Sequence, residues 1–115
     1  AENRMLANPS SMDFIAVAGS IEDHASNLPL AAAKARRIVE NLRYMLGIEA
    51  MHGTQAVDLR GKPQLGRVTG PVYAAFRREV PYLGADRNLS LDIEKAYNFI
   101  QEGRLFQAIQ SAEER

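Results

Sequence analysis

Met45-Leu46-Gly47-Ile48-Glu49-Ala50-Met51-His52-Gly53-Thr54-Gln55-Ala56-Val57 carries a single formal charge, at Glu49, and is otherwise apolar, small or neutral on every side. A helix that is apolar all round is normally enclosed all round. The stretch belongs to a longer run without internal proline, from Pro29 to about Leu59, rich in Ala, Leu, Arg, Met and Glu. That composition predicts one helix of about 30 residues, or ~45 Å at 1.5 Å per residue. Asn27 is a plausible N-cap with Pro29 in the first turn, and Arg60-Gly61-Lys62-Pro63 supplies the stop. The first half is amphipathic: Lys34, Arg36, Arg37, Glu40 and Arg43 lie around an apolar stripe of Ala31, Ala35, Ile38, Leu42 and Met45. Gly47 and Gly53 each weaken a helix by ~1 kcal/mol relative to Ala, which makes sense where another helix approaches closely. A chain of 115 residues can hardly surround so long a helix. The helices that cover it are therefore expected from the rest of a larger protein or from other subunits.

Working outward, residues 1–7 read as the end of a helix that Asn8-Pro9 stops. Residues 10–27 read as an extended loop. Its apolar run Phe14–Ala18 is taken as buried loop, since no second strand candidate is available to pair with it. After a polar loop at 61–68, Thr69 is expected to cap a helix with Pro71 near its start, which Pro81 ends. Ser90 is expected to cap the next, with Asp92 and Glu94 in its first turn and Ile93, Ala96, Tyr97 and Ile100 as its buried stripe. Gly103 ends that helix, Leu105–Gln110 adds a turn or two, and the tail frays. The predicted fold is all-α: one long core helix, two or three shorter helices and an N-terminal extended loop. The chain is one segment in three stretches, 1–27, 28–60 and 61–115.

Bulk properties are those of an ordinary globular protein, at 46% hydrophobic and 24% charged residues. Zero net charge gives no electrostatic reason to expect nucleic acid or an anionic membrane as a partner. The lack of cysteine excludes disulfides, thiolate metal sites and a cysteine nucleophile, and a cytoplasmic location is expected. No apolar run approaches the roughly 20 residues of a membrane span. The start, Ala1-Glu2-Asn3-Arg4, lacks both an initiator Met and the layout of a signal peptide, so an excised or truncated segment is expected.

The chemistry-bearing residues concentrate in Asn8-Pro9-Ser10-Ser11-Met12-Asp13 and Ser20-Ile21-Glu22-Asp23-His24. Glu22-Asp23-His24 is not expected to bind metal, because adjacent loop residues diverge and no second ligand cluster exists. Ser20, Asp23 and His24 are too close in sequence for a catalytic triad. Asp23 and His24 read as loop-ordering hydrogen bonders. Glu22 reads either as an active-site wall or as a cap or salt-bridge partner. Glu49 and His52, three apart on a helix, read as a satisfied buried polar pair, and Arg36, Arg37 and Arg43 as solvated or inter-subunit salt-bridge residues. The loop Gly61–Gly66 lacks the spacing of a phosphate-binding loop.

These opening blocks, with Ala33-Lys34-Ala35-Arg36-Arg37, Glu40-Asn41-Leu42-Arg43, Leu46-Gly47-Ile48-Glu49, Gln55-Ala56-Val57-Asp58-Leu59-Arg60, Arg87 and Leu91-Asp92-Ile93-Glu94, resemble the C-terminal part of histidine ammonia-lyase and the aromatic amino-acid lyases. The resemblance spreads over about the whole chain, and the ordered series is more specific than any one motif. It implies a fragment of a helical-bundle enzyme, a homotetramer with composite active sites, that eliminates ammonia from a small amino acid to give an α,β-unsaturated acid (urocanate from L-histidine). It implies a methylidene-imidazolone electrophile made from an internal Ala-Ser-Gly upstream. This chain has only Ala18-Gly19-Ser20, in the wrong order, and nothing matching the family's catalytic tyrosine loops, so on its own it is expected to be inactive.

Glu22 is the one site residue the resemblance carries over. It implies Glu there in members acting on histidine and Gln in those acting on phenylalanine or tyrosine. A carboxylate can accept a hydrogen bond from an imidazole N–H or assist proton transfer, and would gain nothing similar from a phenyl ring. Two departures flank it: Ile21 where Gln is usual, and Ala25-Ser26-Asn27-Leu28 in place of a Val-Ser-Met-Gly-like run. The alternative of a different class is an autonomous helical oligomerisation module without catalysis. Both readings expect self-association through the long helix.

Overall fold

A computed structural model describes residues 1–12, 16, 18–21 and 26–114. Among these the chain is helical, with no strand. In order come α1 (Glu2–Leu6), single 3-10 turns at Ser10–Met12 and Ala18–Ser20, α2 (Leu28–Leu59), α3 (Thr69–Glu79), α4 (Ser90–Gln101) and α5 (Arg104–Glu113). The long helix is the predicted one, at 32 residues. Its end is set by the glycine: Gly61, at φ +79°, lets its own N–H reach Asp58 O at 3.0 Å and the N–H of Lys62 reach Val57 O at 3.1 Å. That pair satisfies carbonyls the helix would otherwise leave bare.

The chain divides into two compact units, Ala1–Leu42 and Arg43–Arg115. In the first, α1 and the turn after it lie against the first half of α2. Ser10 is the only buried residue there among those described. Polar rungs hold the unit together. Arg37 Nε donates to Glu2 at 3.0 Å, Asn41 Nδ2 to Asn3 Oδ1 at 2.8 Å, Lys34 Nζ to Asn8 O, and Asn27 Nδ2 to Ser10 O at 2.8 Å. The Arg37 hydrogen bond holds the Glu2 carboxyl below its ordinary range.

The second unit has an apolar core. Phe76 and Val80 from α3 and its end meet Ala96 and Phe99 of α4, with Ala75 beside them. The Phe76 and Phe99 rings meet edge to face at 5.3 Å, a favoured aromatic geometry. Ala50 and Met51 of α2 and Leu105 and Ala108 of α5 pack around this centre. Gly47 is where α4 comes closest: a Cβ there would lie 3.1 Å from Ala96 C and Tyr97 N. Gly47 thus meets the expected close approach, whereas a Cβ on Gly53 would meet nothing within 4 Å.

Several local expectations are corrected. Thr69 lies inside α3, and its hydroxyl donates back to Gly66 O at 3.4 Å. Ser90 is likewise the first residue of α4; Asn88 does the capping, its Oδ1 accepting the Ser90 N–H at 3.0 Å and the Ser90 hydroxyl at 2.8 Å. Asn27 lies before α2 at φ +49°, and its amide is turned toward Ser10. The chain end does not fray at Gln110. Helix α5 continues to Glu113, because Ala112 is buried and Arg67 Nη1 donates to Ala112 O at 3.1 Å and Glu113 O at 3.4 Å. Within the run read as buried loop, Ala16 and Ala18 are exposed; Phe14, Ile15 and Val17 lie outside the described residues.

Candidate functional site

Glu22, the predicted site residue, lies outside the described residues, as do Asp13, Asp23 and His24. What the structure gives is the frame on both sides of them. On the leading side, Asn8-Pro9 ends α1, Ser10–Met12 makes one 3-10 turn, and Ser10 is buried. On the trailing side, Asn27 enters α2 in the left-handed region, which asparagine tolerates better than most residues. The Asn27–Ser10 hydrogen bond joins the two sides at 2.8 Å. The Lys34 ammonium holds the neighbouring carbonyl of Asn8. A recess of about 260 Å³ lies beside this junction, walled by Leu6, Pro9 and Ser10 on one side and by Ala31, Lys34 and Ile38 of α2 on the other. The apolar stripe predicted for the first half of α2 faces it.

The Ala18-Gly19-Ser20 turn is no substitute for the family's electrophile-forming tripeptide. Its order is reversed, and Gly19 is exposed at φ +64°. Among the described residues no group of three or more His, Asp or Glu side chains could hold a metal ion. Glu49 and His52 are both exposed in this chain, and the expected buried pair is not formed: His52 Nδ1 hydrogen-bonds Ile48 O at 2.8 Å, one turn back on its own helix. The arginines form surface pairs, Arg36 to Glu40 at 3.5 Å and Arg37 to Glu2 at 3.0 Å.

Sequence reasoning missed a polar knot in the second unit. The Asp58 side chain is only 4% exposed. It accepts the Tyr73 hydroxyl at 2.6 Å and Arg77 Nη2 at 2.7 Å, with Lys62 Nζ at 3.7 Å. Gln55 closes the ring, accepting from Arg77 at 3.3 Å and from the Leu83 N–H at 3.2 Å and donating to Leu83 O at 3.0 Å. The Tyr73 hydrogen bond, and next the Arg77 guanidinium, hold the Asp58 carboxyl below its ordinary range, while the same bond pushes the Tyr73 phenol up. A second clamp joins Arg87 to Asp92 at 2.8 Å and to the carbonyls of Pro81 and Tyr82. Every donor and acceptor in these clusters is satisfied within the fold, so they position helices and offer no free group for chemistry. The available signal was Asp58 itself, the first acid after a long uncharged run.

The model of the aromatic amino acid lyase family matches residues 1–78. The chain belongs to the aromatic amino acid lyase family. It is 42% identical over 105 residues to histidine ammonia-lyase of Natranaerobius thermophilus, a match covering 91% of this chain and 21% of that protein. To histidine ammonia-lyase of Treponema denticola it is 38% identical over 112 residues, 97% of this chain and 22% of that protein. Among solved structures it is similar to the ergothioneine-degrading enzyme ergothionase of Treponema denticola, in complex with desmethyl-ergothioneine sulfonic acid. The TM-score is 0.84 and the identity 55%, over 90% of this chain and 21% of that one. The chain thus spans about a fifth of the length of the relatives it matches.

Proposed function

We propose that this chain is the C-terminal helical segment of a methylidene-imidazolone lyase that eliminates the amine from a substrate carrying an imidazole-derived ring, with ergothioneine ahead of histidine. The observation that carries the substrate order is the contrast within one organism: 55% identity to the Treponema denticola ergothionase against 38% to its histidine ammonia-lyase. The departures beside Glu22, at Ile21 and at Ala25–Leu28, support the same order, since they alter the surroundings of the residue expected to meet the ring. Histidine is the second reading, favoured by the curated relatives named histidine ammonia-lyase at 34–42% identity.

In this reading Glu22 lines the site and accepts a hydrogen bond from a ring N–H, or moves a proton there. The electrophilic ring that activates the substrate comes from an Ala-Ser-Gly outside this segment. The remaining role of the chain is scaffolding in a cytoplasmic homotetramer. Met45, Leu46 and Ile48 of α2 are 57%, 48% and 36% exposed in the single chain, and Leu59 is 71% exposed. Leaving such a face wet costs about 25 cal/mol per Å² of apolar area. Helices from the rest of the protein and from further copies cover it.

The test is steady-state elimination by the complete protein on ergothioneine and on L-histidine, with wild type and Glu22→Ala. The proposal expects kcat/KM higher for ergothioneine by at least about tenfold, and a loss of about 100-fold or more in Glu22→Ala with folding intact. Preference for histidine reverses the substrate order, and unchanged kinetics in Glu22→Ala removes that residue from the site.

A further inference from the structure

The segment that carries Glu22 leaves the fold after Ser10–Met12 and re-enters it at Asn27. Its two ends are tied by one side chain. Asn27 Nδ2 donates to Ser10 O at 2.8 Å, across 17 positions of sequence. The acceptor belongs to the only buried residue of its unit among those described, so the anchor point is fixed. The donor is fixed from the other side, because the Asn27 carbonyl accepts the Ala31 N–H at 2.9 Å and so belongs to the first turn of α2. Lys34, two turns into that helix, holds the carbonyl of Asn8 on the other side of the junction. A loop of this length whose ends are pinned together behaves as a compact unit whose interior follows its base.

We infer that Asn27 is a positioning residue for the lyase reaction: its amide closes the base of the 11–26 segment on Ser10 and thereby sets where Glu22 meets the substrate. This rests on the reading of Glu22 given above. The left-handed backbone at Asn27 makes the residue type informative. Only glycine, asparagine and aspartate adopt that conformation readily, and of these only asparagine offers an N–H to the Ser10 carbonyl. A misplacement of about 1 Å far from the chemistry can cost about 100-fold in rate, so the junction has leverage out of proportion to one hydrogen bond.

The experiment uses the complete enzyme and whichever of ergothioneine and L-histidine it turns over. Four proteins are compared: wild type, Asn27→Gly, which keeps the backbone and deletes the amide, Glu22→Gln, and the double variant. Asn27→Asp, which keeps shape and backbone but cannot donate, is the second probe of the same bond. The expected result is a fall of at least about tenfold in kcat for Asn27→Gly and Asn27→Asp, with KM changed by less than about twofold and the melting temperature near wild type. In the Glu22→Gln background Asn27→Gly should then cost little more, because its effect passes through Glu22. If Glu22→Gln is costly while Asn27→Gly and Asn27→Asp turn over normally, the inference fails and the site reading stands. The same holds if the two losses multiply independently, or if the Asn27 variants lose activity only in step with melting temperature. If Glu22→Gln itself is silent, the site reading fails and takes the inference with it.

Discussion

The two units of this chain are built on opposite principles. Arg43–Arg115 closes around Phe76, Val80, Ala96 and Phe99 and buries a satisfied carboxylate at Asp58. Ala1–Leu42 has one buried residue among those described, Ser10, and is joined by four polar rungs along α2. Apolar burial is strong and insensitive to salt, whereas exposed ion pairs and amide hydrogen bonds are weak and screened. The unit that carries the family's site residue is the weakly held one. Ligand-binding segments are drawn from the low-stability end of a structure, and here the sequence itself assigns the polar bonding to that end.

The largest effect expected from breaking the contrast is in the core. Phe76→Ala should cost about 3–5 kcal/mol in urea unfolding and abolish the fixed packing of α3 against α4. A loss under about 1 kcal/mol would mean that Phe76 and Phe99 do not form the centre of the second unit. Next comes Asp58→Ala, at about 3 kcal/mol, because Arg77 loses its carboxylate partner in a nearly closed site. The pH dependence has a definite sign. The Asp58 carboxyl titrates below its ordinary range in the fold, so its contribution is present above the ordinary aspartate pKa and lost as pH falls through the lowered value. Wild type should therefore lose stability on acidification more steeply than Asp58→Asn in that acidic window. Parallel curves would remove Asp58 as the source.

The glycines of α2 sharpen the comparison at a smaller scale. Gly47→Val should destabilise by about 1–3 kcal/mol, since its side chain would press on the backbone of Ala96 and Tyr97. Gly53→Ala meets open space and should stabilise the isolated chain by up to ~1 kcal/mol through helix propensity. If Gly53→Ala impairs assembly of the complete protein instead, Gly53 faces a helix from elsewhere. The smallest change in global stability belongs to Glu2→Ala. It should leave the urea midpoint of the second unit unmoved and show only as faster amide exchange in α1.

The sequence made the elements with strong local signals plain. Helix α2 was legible from Pro29 to Gly61, because proline, alanine-rich periodicity and a glycine stop agree over many residues. The caps of α3 and α4 were displaced by a residue or two, because Gly66, Asn88 and Ser90 compete for the same orphan groups and only geometry decides among them. The length of α5 was underestimated for a different reason. Its last turn is held by Arg67, more than forty positions away, and no local pattern encodes such a contact. The Asp58–Tyr73–Arg77 knot was missed on the same ground. Glu22 was legible through the family resemblance, and the Asn27–Ser10 bond that frames it was not, because Asn27 was read as an ordinary cap.

Hydrogen exchange followed residue by residue through a urea series tests the central contrast most directly. The account predicts that amides of Glu2–Leu6 exchange through a local opening that salt accelerates, while amides of Phe76–Glu79 and Ala96–Ile100 exchange only through global unfolding. Equal, salt-independent protection in the two regions would contradict it, because one shared core would then hold both.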